Sequence, residues 1–95
     1  MSATFRWDPA KGRRNLQKHG VSFDEAVGAF SDPLSRTIPD PDHSYGEERF
    51  ILIGISQGNR LLVVVHAETD EGIRIITARE ANSHERRQYE QGPAR

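Results

Sequence analysis

Two apolar runs, residues 50–55 and 61–65, flank a short polar stretch containing Gly58-Asn59. Both runs are rich in β-branched residues, and the turn chemistry between them predicts a β-hairpin over residues 48–66. Side chains alternate along a strand. Phe50 and Leu52 therefore share one face, and Ile51, Ile53 and Ile55 share the other. A hairpin apolar on both faces belongs in the middle of a sheet covered on each side. Its open end carries Glu48, Arg49 and His66. The pairing brings an acid, an arginine and an imidazole to one sheet edge.

The flanking pattern supplies the remaining elements. Residues 4–7 read as a short strand with Phe5 and Trp7 on one face. Asp8-Pro9 is a helix start, with an Asx cap and proline in the first turn. Gly20, after Lys18-His19, is its natural stop. That helix has only a narrow apolar stripe, Ala10 and Leu16. Ser22 and Glu25 form a capping box, and Phe23, Ala26, Val27 and Phe30 recur at helical spacing. This second helix should pack on the sheet and end before Pro33. Residues 34–38 suggest an edge strand, and 39–46 an irregular loop. After a turn at 69–72, residues 73–79 form a strand. Regular alternation puts Ile73, Ile75, Thr77 and Arg79 on one face and Arg74, Ile76 and Ala78 on the other. Residues 80–89 read as a polar helix that packs weakly or contacts another chain. Residues 91–95 read as a frayed tail. The order β-α-α-β-β-β-β-α, with the last four strands an antiparallel meander, predicts a small α+β domain spanning 1–95.

Composition narrows the classes. Ninety-five residues that are 35% hydrophobic and 28% charged fit one modest globular domain. No apolar run approaches the roughly 20 residues of a spanning helix. No secretory signal is visible, so a cytoplasmic location is expected. The chain has no cysteine, which excludes disulfides and thiolate metal sites. Its histidines lack ligand spacing, so no metal or other cofactor is expected. A serine nucleophile elbow and a phosphate-cradling glycine motif are also missing. The net charge is only −1, but it is unevenly spread. Lys11, Arg13, Arg14, Lys18 and His19 form an acid-free stretch, and Arg74, Arg79, Arg86 and Arg87 cluster late. Two such segments meeting in space make a local anion site; kept apart, they are solvated helix faces.

Several motifs then occur in a specific order: Phe5-x-Trp7-Asp8-Pro9-x-Lys11, Asn15-x-x-Lys18-His19-Gly20-Val21-x-Phe23-x-x-Ala26, and Asp42-His43-Ser44-x-x-Glu47-Glu48-Arg49-Phe50. Ile53-Gly54, Ile73-Arg74-Ile75-Ile76-x-Ala78-Arg79-x-Ala81, Glu85-Arg86 and Tyr89-Glu90 complete the set. Over residues 5–90 the chain resembles the BrnT family of bacterial type II toxins. It departs from that pattern near Glu68, where many relatives carry an arginine. The resemblance implies a RelE-like ribonuclease that cuts RNA without a metal. It also implies neutralisation by a BrnA-type antitoxin, which supplies the DNA-binding element through which the pair represses its operon.

Such cleavage lets the ribose 2′-oxygen attack the adjacent phosphorus. It needs a base, an acid and cations around the phosphoryl oxygens. Glu48 or His43 is the candidate base, and His66 or His19 the candidate acid. Arg79, Arg49 and Arg74 are candidate phosphate forks, and Lys18 adds a point charge. Trp7 or Tyr45 is a candidate base-stacking platform. Arg86 and Tyr89 are expected at the antitoxin contact or over the sheet. Structural readings stand beside these. Arg79 can pair with Glu80 or Glu85, Arg49 with Glu47 or Glu48, and His66 can close a strand end. Lys18-His19 can serve the helix dipole, and Trp7 the core. A rival function is a non-catalytic subunit that binds the antitoxin and tunes its DNA affinity.

Overall fold

In a computed structural model, the structure describes residues 4–41 and 47–92. His43 and Tyr45 lie outside the described residues. The elements run β1 (Phe5–Arg6), α1 (Pro9–His19), α2 (Phe23–Ala29), β2 (Arg36–Pro39), β3 (Arg49–Ile55), β4 (Leu61–Thr69), β5 (Gly72–Glu80) and α3 (Ser83–Gln91). The order is the expected one. The sheet order is β1-β5-β4-β3-β2. Strands β2 to β5 form the antiparallel meander, whereas β1 joins β5 in parallel, so the sheet is mixed.

The central hairpin pairs from Arg49↔Ala67 to Ile55↔Leu61. Its turn uses Asn59 in the left-handed region, φ 64°, a conformation Asn tolerates better than most residues. Both sheet faces are covered. On one side Val21, Phe23, Ala26 and Ala29 pack on Leu52, Leu62, Val64, Ile75 and Ala78. On the other, Tyr89 and Ala81 pack on Ile53, Leu61 and Val63. Helix α2 approaches β3 closely at Gly54, where a Cβ would come within 2.7 Å of the Ala29 carbonyl oxygen.

Three features differ from the sequence expectation. First, α1 does not dock through Leu16, which is 50% exposed. Asn15 is its buried residue. The Asn15 amide donates to the carbonyls of Val21 (2.9 Å) and Ala78 (2.8 Å) and accepts from the Ala78 N–H (3.2 Å). Pairing of β1 stops at Arg74, and this side chain takes the place of a neighbouring strand further along β5.

Second, β5 carries a bulge. Val65 pairs with Thr77, but His66 pairs with Ile75, which leaves Ile76 as an extra residue. A bulge of this kind reverses the facing of everything beyond it. Arg74 therefore pairs with Ala67 and shares a face with Thr77 and Arg79. The expected separation of Arg74 from Arg79 is corrected.

Third, Glu80 ends β5, and α3 starts later than expected. Asn82 caps the helix and forms a capping box with Glu85. The Tyr89 hydroxyl donates to Asp32 at 2.5 Å, and Arg36 donates to the Gln88 carbonyl at 2.8 Å. Asp32 also accepts from the Ile55 N–H at 2.8 Å, so α3 is held to the β3 end of the sheet.

Candidate functional site

Cross-strand partners lie side by side on one face of a sheet. Arg49, Ala67 and Arg74 form one such row across β3, β4 and β5. Ile51, Val65 and Thr77 form the next, and Ile53, Val63 and Arg79 the one after. Ile38 and Arg36 of β2 extend the last two rows. The α3 face thus has an apolar floor of Ile51, Val63, Val65 and Ala67. Arg49 and Arg74 stand at its open end, and Arg36 and Arg79 beside the helix.

The arginines are oriented by carboxylates. Glu47 bonds Arg74 and stands 3.5 Å from the Arg49 Nε. That Nε is buried and has no hydrogen-bond partner among the described residues. Both guanidiniums, Arg74 foremost, hold the Glu47 carboxyl below the usual glutamate range. Arg79 donates two forked bonds to Glu85, at 2.8 and 2.7 Å. This pairing raises the Arg79 pKa and lowers that of Glu85. A planar fork that grips a carboxylate in this way also matches a phosphate. Released from those carboxylates, the same forks have the geometry to pair with a phosphoryl group.

Other candidates lie elsewhere. His66 is 1% exposed. It sits on the opposite face, its ring stacked on Phe50 and edge-on to Phe30 at centroid distances of 5.8 and 4.9 Å. Burial pushes its pKa down despite Glu68, 3.8 Å away. The hairpin does place His66 beside Arg49 along the strands, as expected, but alternation turns the two side chains to opposite faces. A core imidazole biased towards its neutral form is not placed to protonate a leaving group. Glu48 is exposed at the head of β3, and alternation puts it on the side of Phe50. Lys18 and His19 close α1, where they line a separate basin with Lys11, Arg14, Asn15, Ile76 and Thr77. Trp7 meets Phe23 edge-to-face at 6.0 Å and packs on the core. Arg86 is exposed on α3. Tyr89 lies over the sheet, with its hydroxyl pKa raised to about 12 by burial and then by Asp32.

Sequence reasoning offered Glu47 as a partner of Arg49, which the structure shows, but missed its bond to Arg74 across the sheet. It also missed the polar joint around Arg60. Arg60 grips Glu25, bonds Glu80 at 3.1 Å and donates to the Gly20 carbonyl at 2.9 Å. Among the described residues, no three His, Cys, Asp or Glu side chains converge as a metal site.

The fold and this face define a small α+β domain with an arginine-rich surface on a mixed sheet. Residues 7–85 match the family model described as "Ribonuclease toxin, BrnT, of type II toxin-antitoxin system". The chain belongs to that family. Its structure is similar to the crystal structure of the Brucella abortus ribonuclease toxin BrnT, with a TM-score of 0.66 and 21% identity over 86% of this chain and 100% of the other. A comparison with curated proteins gave no match. No helix among the described residues is long and apolar enough to cross a membrane.

Proposed function

We propose that this protein is a cytoplasmic, metal-independent endoribonuclease. It cuts cellular RNA, arrests growth, and is neutralised by a BrnA-type antitoxin. Family membership supports the ribonuclease and toxin assignments. One feature of the chain supports the location of the site: Arg49, Arg74 and Arg79 share a single sheet face. In this reading a scissile phosphate docks against the Arg49–Arg74 row and competes with Glu47 for the two guanidiniums. Arg79 stabilises the pentacovalent phosphoryl oxygens as the base takes the 2′-hydroxyl proton, the 2′-oxygen attacks, and the 5′-oxygen leaves with a proton taken from water. His43, four positions before Glu47 in sequence, is the preferred base over Glu48, whose side is that of Phe50. Tyr45 is the candidate platform for a neighbouring base.

Purified antitoxin-free protein should degrade RNA in excess chelator. Arg79→Ala should lose at least ~10-fold in rate, about 1.4 kcal/mol of barrier. Equal rates for the wild type and a folded Arg79→Ala variant would remove Arg79 from the site. The rival reading, a non-catalytic antitoxin-binding subunit, is favoured by the occupancy of Arg74 and Arg79, each already gripped by an internal carboxylate. Harmless expression, together with antitoxin-dependent operon repression, would decide for that rival.

A further inference from the structure

The two basic segments do not meet in one site: the cations of α1 form a surface of their own. Lys11, Arg14, Lys18 and His19 recur at i, i+3, i+7 and i+8, the spacing of one helix face. With Asn15, Ile76 and Thr77 they line an open basin of about 390 Å³ that no acidic residue enters among the described residues. From Lys11 to Lys18 the helix rises about 10 Å, room for more than one phosphate of an extended strand. Lys11, Arg14 and Lys18 have no ion-pair partner among the described residues. In this they differ from Arg74 and Arg79. The Asn15 amide is occupied with Val21 and Ala78, so it forms wall rather than ligand.

The basin also connects to the other face. Thr77 lines it, and Thr77 lies in the sheet row between those of Arg74 and Arg79. The edge of β5 at this point is past the last β1 pairing, Arg6↔Arg74. A chain leaving the arginine face across Thr77 enters the basin directly.

We infer that this α1 basin is a second RNA site, which holds the phosphate backbone of a single strand next to the segment on the arginine face. It rests on the ribonuclease reading for the kind of polymer it names. An acidic protein is the weaker occupant. Protein interfaces have an apolar, Lys-depleted centre, whereas Ile76 is the one large apolar residue lining the basin among the described residues. Backbone phosphates need only cations.

The test is a binding measurement that requires no cleavage. A labelled 2′-O-methyl RNA of about 20 nucleotides has no free 2′-hydroxyl to attack, and its affinity is read by anisotropy across ~50–200 mM salt. The full-length Lys11→Glu/Arg14→Glu double variant should bind at least ~10-fold more weakly. Its log K against log salt should be shallower by about 1.4, roughly 0.7 per lost contact. The Lys11→Gln/Arg14→Gln variant, which removes charge without reversing it, should move the same way by less, and circular dichroism should show both folded. Unchanged affinity and salt slope in folded variants would overturn the inference. So would a loss of antitoxin affinity with RNA binding intact, which would make the surface a protein contact. A wild type that cuts no RNA, yet loses RNA affinity on charge reversal, would sink the ribonuclease reading and leave this site standing.

Discussion

His66 shows how one residue's place in the core decides its chemistry. Its ring is enclosed by Phe30 and Phe50, and desolvation disfavours the imidazolium. The sign follows directly. The folded pKa lies below the unfolded value near 6.5, so the unfolded chain binds the extra proton between the two. The stabilising contribution is complete above about pH 6.5 and is lost as pH falls towards the folded value, by up to about 1.4 kcal/mol per pH unit. His66→Phe keeps a ring in the site and removes the titration. Urea unfolding at pH 7.5 and 5.5 should show a smaller acid loss for the variant than for the wild type. Equal losses would mean that His66 ionises as freely folded as unfolded. The carboxylates with lowered pKa values, Glu25, Asp32, Glu47 and Glu85, lose their contribution only as pH falls below about 4, so the two windows separate.

Among the elements, α1 is the least conventional. An amphipathic helix normally docks by an apolar stripe, but this one is attached through a single amide that completes a strand edge. Asn15→Leu has similar bulk and better helix propensity. It would leave the Ala78 N–H and C=O and the Val21 carbonyl without their partner. An unsatisfied buried polar group costs about 1–3 kcal/mol, so a net loss of about 2–4 kcal/mol is expected after the leucine's own burial is counted. Thermal melting would register it, and a variant as stable as the wild type would show that water replaces the amide. The attachment bears on function because it sets the cationic face of α1 against Thr77. At the other end of the order, α3 grips Arg79 through Glu85 and lies over the apolar floor through Tyr89. The helix that was legible as polar and weakly packed thus limits how far the arginine face is open.

At the scale of the whole molecule, Arg60 ties four segments together: the end of α1 at Gly20, α2 at Glu25, the hairpin turn beside Ser56, and β5 at Glu80. The Arg60 side chain is 33% exposed and Glu25 20%, so solvent screens the pair and its worth is below that of a buried one. Arg60→Ala should cost about 1–2 kcal/mol, the low end for charge-assisted hydrogen bonds. The loss should shrink in a Glu25→Gln background, where the principal partner is already weakened. Additive losses would deny the coupling.

Whereas the Glu25 half of the expected capping box went to Arg60 and Ser56 instead, the order of elements, the central hairpin, the N-caps Asp8 and Ser22, and the two-sided cover of the sheet were all determined by the sequence alone. These depend on local chemistry and on apolar periodicity, which a linear pattern carries. Family motifs in the same chain also carried the toxin class. The face on which Arg74 emerges, the burial of His66 and the pairing of Arg79 with Glu85 rather than Glu80 were decided only by the tertiary structure. Consecutive Ile75 and Ile76 fit either face equally well, so no periodicity could reveal the bulge between them. Which histidine becomes core depends on rings brought from β3 and α2, distant in the chain. Cations that look alike along the sequence were divided between two surfaces by one extra residue in β5 and one amide on α1, because both act through the pairing of strands.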